Sequence, residues 1–83
     1  MEERWKYIII EKLGHEVAIL FDPLLEHAEV AQNVPVISAG FCMITVKKDD
    51  WQTDSVSIFG DSISLGKRPR PEDVKIILRN MLL

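Results

Sequence analysis

The run Val34–Val46, VPVISAGFCMITV, is the feature that most limits how this chain can fold. It carries no charge. Its even positions are Val36, Ser38, Gly40, Cys42, Ile44 and Val46; its odd positions are Ile37, Ala39, Phe41, Met43 and Thr45. Successive side chains of a strand point to opposite faces. The run is therefore expected to be a central strand, bulky on one side and small in the middle of the other. A glycine inside a strand marks a close backbone approach. Gly40 thus predicts close packing over the small face, with the C-terminal helix as the expected neighbour.

The segments around it supply the rest of a sheet. Arg4–Ile10 is expected to be a strand with Trp5, Tyr7 and Ile9 on one face and Lys6, Ile8 and Ile10 on the other. After a turn at Gly14, Val17–Phe21 is a second such strand, and the short connection favours an antiparallel hairpin. Asp22-Pro23 has the chemistry of a helix start, a capping carboxylate followed by a residue with no N–H to satisfy. Leu24, Ala28 and Ala31 form a stripe from there, and Asn33 and Pro35 close the helix. Lys47–Asp54 is a polar loop. Ser55–Leu65 predicts a hairpin about Gly60-Asp61, which places Val56, Ile58, Ile63 and Leu65 on one face. Pro71 opens a last helix whose apolar stripe is Val74, Ile77, Leu78, Met81 and Leu82.

These elements predict a single α+β domain over residues 1–83, of order β-β-α-β-β-β-α, with a mainly antiparallel sheet and helices packed on one face. The 83 residues suffice for one modest core, burying roughly 60–65% of the unfolded surface. At 47% hydrophobic and 28% charged, the chain falls among globular domains rather than disordered ones. The first residues are charged and their apolar part is too short for a signal peptide. No run reaches the roughly 18 apolar residues of a membrane span. A single cysteine, Cys42, forms no internal disulfide and suits a reducing cytoplasm.

Candidate chemistry is sparse. Ser57–Ser62, SIFGDS, resembles the first block of the GDSL-type hydrolases, which implies Ser62 as a nucleophile. In that family a histidine follows late in the chain, whereas His15 and His27 both precede Ser62 here, and 83 residues are too few for the three-layer fold. A hairpin turn accounts for the same residues. Cys42, beside Ser38 and Gly40, has no base near it in sequence and is expected to be a small buried residue. His15, Glu16, Asp22, Glu26, His27 and Glu29 match no metal-ligand spacing.

Six residues remain as candidates for an interaction surface: Trp51, Lys67, Arg68, Arg70, Ile76 and Leu83. Trp51 stands in a charged loop. Lys67, Arg68 and Arg70, with Lys47 and Lys48, make a basic patch suited to phosphate or an acidic partner. Ile76 and Leu83 flank the last helix's stripe and add apolar surface beyond one core, which favours a homodimer. The net charge of −3 gives no global pull toward nucleic acid.

The expectation is a small non-catalytic protein-interaction or regulatory module of the cytoplasm, homodimeric, with neither cofactor nor metal and no membrane partner. One alternative is a nucleic-acid-associated accessory protein using the Lys67–Arg70 loop. Another is a ligand-binding protein or enzyme with a pocket over Ser38, Gly40 and Cys42.

Overall fold

The computed structural model describes residues 2–46 and 53–81, with side chains described for 2–45 and 55–80. It is an α+β fold built on one antiparallel sheet. The elements are β1 (Glu2–Lys12), β2 (His15–Phe21), α1 (His27–Ala31), β3 (Ser38–Val46), β4 (Thr53–Phe59) and α2 (Asp73–Met81). The sheet runs β2-β1-β3-β4, so β1 and β3 are central and β2 and β4 are edges. Among the described residues no helix is long and apolar enough to cross a membrane.

The first hairpin forms as the alternation requires. Lys12 pairs with His15 across a two-residue turn at Leu13-Gly14, and Tyr7 pairs with Leu20. Both turn residues take left-handed φ, +53° and +82°, the twist that suits a tight hairpin. β1 also pairs with β3, Tyr7 opposite Gly40 and Trp5 opposite Cys42.

The two faces of the sheet make two separate cores. Tyr7, Ile9, Cys42 and Ile44 pack with Ile76 and Ile77 of α2, flanked by Ala18, Leu20, Val56 and Ile58. Ile8, Phe21 and Ala39 pack with Ala31 of α1, flanked by Val30, Val36 and Leu65. The expected one-sided placement of helices is therefore corrected: α2 and α1 lie on opposite faces. The cause is in β1, whose consecutive residues Lys6 to Ile9 are all buried and so need cover on both sides.

Three boundaries also differ. Asp22 caps a turn, not a helix: its Oδ1 accepts the Leu24 N–H at 2.8 Å. The helix begins at Glu26, where Glu26 and Glu29 satisfy each other's backbone N–H groups in a capping box, and it lasts one turn before Gln32 and Asn33 go left-handed. The central strand starts at Ser38; Val34–Ile37 leads in, tied by the Ile37 N–H to Ile9 O at 2.8 Å.

The expected hairpin Ser55–Leu65 does not form, which leaves four strands rather than five among the described residues. Val56 and Ile58 join the α2-side core, Leu65 joins the α1-side core, and Ile63 is 95% exposed. Residues 60–69 instead travel round the end of the sheet from one face to the other. Ser62 and Lys67 bridge to hold a small loop, and Pro69 arrives over Gly40.

Candidate functional site

The small face of β3 is closed. A Cβ on Gly40 would stand 2.6 Å from Pro69 Cγ and 2.9 Å from the carbonyl oxygen of Gly60, so the close approach expected at this glycine is present. Beside it Ser38 and Cys42 are fully buried. The pocket expected over Ser38, Gly40 and Cys42 is thus filled by Pro69, Arg70, Asp73 and the core of α2. Burial pushes the Cys42 thiol up to about 11, so it stays protonated at neutral pH.

A polar cluster anchors α2 there. Asp73 is wholly buried. Its carboxylate accepts from Tyr7 Oη at 2.8 Å, Ser38 Oγ at 2.9 Å, the Arg70 backbone N–H at 2.9 Å and Arg70 Nε at 3.0 Å. The guanidinium of Arg70 continues outward to Glu16 Oε1 at 2.6 Å. Burial disfavours the Arg70 charge, but the hydrogen bonds to Glu16 and Asp73 outweigh it and leave its pKa raised. Burial, and then Asp73, push the Tyr7 phenol far above its ordinary range. Every buried polar atom of the cluster has a partner, and Asp73, Tyr7 and Ser38 are sealed from solvent. The cluster is a clamp between sheet and helix.

The remaining titratable candidates are accounted for in the same way. Ser62 is buried and its Oγ accepts the Leu65 N–H at 3.3 Å, so the residue implied as a nucleophile holds a loop. His27 is buried and its Nε2 donates to Gly40 O at 2.8 Å, between the rings of Phe21 and Phe41. Among the described residues no group of three His, Cys, Asp or Glu side chains is placed to hold a metal.

The interaction candidates separate. Ile76 is only 7% exposed and belongs to the core, a correction to its expected place on the surface. The helix's buried side is Asp73, Ile76 and Ile77, rotated from the expected stripe by the pull of Asp73 into the clamp. Arg70 is half-buried and engaged by Glu16 and Asp73. Lys67 and Arg68 are exposed, and Arg68 lies 3.9 Å from Asp61. The basic patch therefore loses one of its three cations to the fold. Trp51, Leu83, Lys47 and Lys48 lie outside the described residues.

The feature that sequence reasoning missed is the difference between the sheet's two edges. Arg79 donates to Glu16 O at 3.2 Å and Asn80 donates to Ala18 O at 2.7 Å. Residues two apart on an edge strand present their backbone groups to the same side, so Glu16 and Ala18 face outward and side chains at the end of α2 bond their carbonyls. Alternation then fixes the whole sheet. Val17 and Ile19 bond β1; Tyr7 and Ile9 bond β3, in agreement with the Ile37–Ile9 bond; Phe41 and Met43 bond β4. Their partners Phe59 and Ser57 face inward, and Val56 and Ile58 present N–H and C=O outward. Among the described residues nothing bonds those outward groups. Ser55–Phe59, SVSIF, contains no lysine, no proline and no charge, the devices that usually blunt an edge.

Comparison with known proteins finds no family model, no curated protein and no solved structure that matches the chain.

Proposed function

We propose that the chain is a non-catalytic protein-interaction module of the cytoplasm whose binding element is the outer edge of β4. The observation that carries this reading is the contrast between edges: Arg79 and Asn80 of α2 bond two outward carbonyls of β2, while the outward groups of Val56 and Ile58 have no partner among the described residues. Strand addition to such an edge takes its affinity from main-chain hydrogen bonds and its selectivity from alternate side chains. Here those side chains are Val56 and Ile58 on the α2 face and Ser55, Ser57 and Phe59 on the other, with Phe59 40% exposed. The absence of catalysis is supported by the use of Ser38, Ser62, Cys42, Asp73 and His27 in packing and internal hydrogen bonds. A compartment that keeps thiols reduced suits the one buried Cys42.

The test is a titration of the protein with a synthetic peptide of residues 53–60, followed by amide NMR. Binding should shift and protect the amides of Val56 and Ile58 and leave those of β2 unchanged. No change at those amides at any peptide concentration sinks the reading.

A further inference from the structure

We infer that the strand received by β4 is the β4 of a second copy, paired antiparallel about a two-fold axis through Ser57. This rests on the reading of β4 as the binding element and names its partner.

Three observations select that occupant. Within Ser55–Phe59, Val56 and Ile58 are the residues whose backbone groups point outward, so a partner strand must offer an outward pair of the same spacing, and β4 itself does. With Ser57 on the axis, Val56 faces Ile58 of the other copy and Ile58 faces its Val56. Both outward residues are then bonded in both directions, and the apolar pairs fall on the α2 face, prolonging the core that Val56 and Ile58 already flank. Shifting the partner by two residues is worse either way. One shift sets Ile58 opposite Asp54, and the other sets Val56 opposite Gly60, which has no side chain to meet it. Shifts by one would oppose an outward residue to an inward one and lose the bonds.

The third observation is the partly bonded β2. Pairing through β4 puts β2 at both far edges of the joined sheet, where Arg79 and Asn80 already occupy the carbonyls of Glu16 and Ala18, and this favours a closed dimer. A chain with two open edges would instead build a filament. The contact is short and falls in the small class of interfaces, so the dimer should dissociate on dilution.

The opposite face supplies the experiment. Ser57 is exposed there, and at the axis it meets Ser57 of the other copy in a closely spaced, non-hydrogen-bonded pair. Light scattering of the wild type across a wide dilution series should move from twice the chain's mass to once. Ser57→Lys and Ser57→Glu each place like charges across the axis and should leave a folded monomer at every concentration. Mixing the two should restore a dimer that contains one of each. Ser57→Cys should oxidise readily to a covalent dimer, and Ser55→Cys, which faces Phe59 in this register, should not. A wild type that is monomeric at all concentrations overturns the dimer; if the 53–60 peptide still binds, the edge stands and its partner is another protein. A wild-type dimer that Ser57→Lys leaves intact, or that Ser57→Cys fails to cross-link, overturns the pairing.

Discussion

Asp73 is a carboxylate removed from water at the start of α2, and its side chain reaches back to the Arg70 N–H as a third-position acid does in a capped helix. Removing it leaves the Tyr7 hydroxyl without its acceptor, frees the Ser38 hydroxyl from the carboxylate and takes one of the carboxylates from Arg70, which keeps Glu16. Breaking one side of a buried pair typically costs about 3–5 kcal/mol, so Asp73→Ala should lower unfolding stability by about that much in a urea titration. Gly40 sets a different limit. Its absent Cβ leaves room for Pro69 and for a backbone carbonyl that cannot move aside, and overpacking of this kind costs about 1–3 kcal/mol or more. Gly40→Leu should be worse than Gly40→Ala, and an unchanged melting temperature in either would mean the face is open. His27 couples the fold to pH. Burial lowers its pKa from 6.5, and the nearby Lys6 charge lowers it further against the pull of Gly40 O. The unfolded chain then takes up the proton first. Stability from this site is complete above about pH 6.5 and falls as the pH drops below it, until the folded protein protonates too. Melting curves between pH 8 and pH 5 should show the wild type losing stability relative to His27→Gln, which has no proton to gain; parallel curves would refute the assignment.

At the scale of elements, the parts legible in the sequence are those fixed by short-range rules. β1, β2 and their turn follow from alternation about Gly14, and the small face of β3 follows from Ser38, Gly40 and Cys42. The errors arise where a local rule met a tertiary demand. Asp22-Pro23 has the chemistry of a helix start, but Glu26 and Glu29 form a better cap four residues on. Ser55–Leu65 satisfies every local condition for a hairpin, yet Leu65 is needed on one face and Pro69 on the other. Ile76 looked superficial because periodicity gives a helix's stripe only to within a residue, and the buried Asp73 turned it. The edges were illegible for a related reason: Arg79 and Asn80 are ordinary surface residues in sequence, and only the fold brings them to carbonyls more than sixty residues away. Their role is testable. Asn80→Ala leaves Ala18 O without its donor and should cost about 1 kcal/mol. With Arg79→Ala added, the second edge opens, and the protein should form species larger than a dimer in light scattering at high concentration.

The whole molecule has two small cores back to back on the same strand, and neither can be lost alone. Tyr7 and Ile9 belong to one core and Ile8 to the other, so the bonds of β1 hold both in register. Residues 60–69 add a second tie by contributing Leu65 to one face and Pro69 to the other. Ile8→Ala and Ile77→Ala should each cost about 2–5 kcal/mol and shift one common transition rather than split it. Two transitions would show that the faces melt independently. The same layout places dimerisation within the stability of the chain. Pairing through β4 adds to the larger core at Val56 and Ile58, and only the folded chain presents that edge. Binding to the native state alone stabilises it in proportion to the logarithm of concentration. The melting temperature of the wild type should therefore rise with protein concentration, while that of Ser57→Lys, folded but unable to pair, should stay constant. A wild type whose melting temperature is independent of concentration over the range where its mass doubles would mean that the contact does not involve the folded edge, and the two-fold pairing of β4 would fall with it.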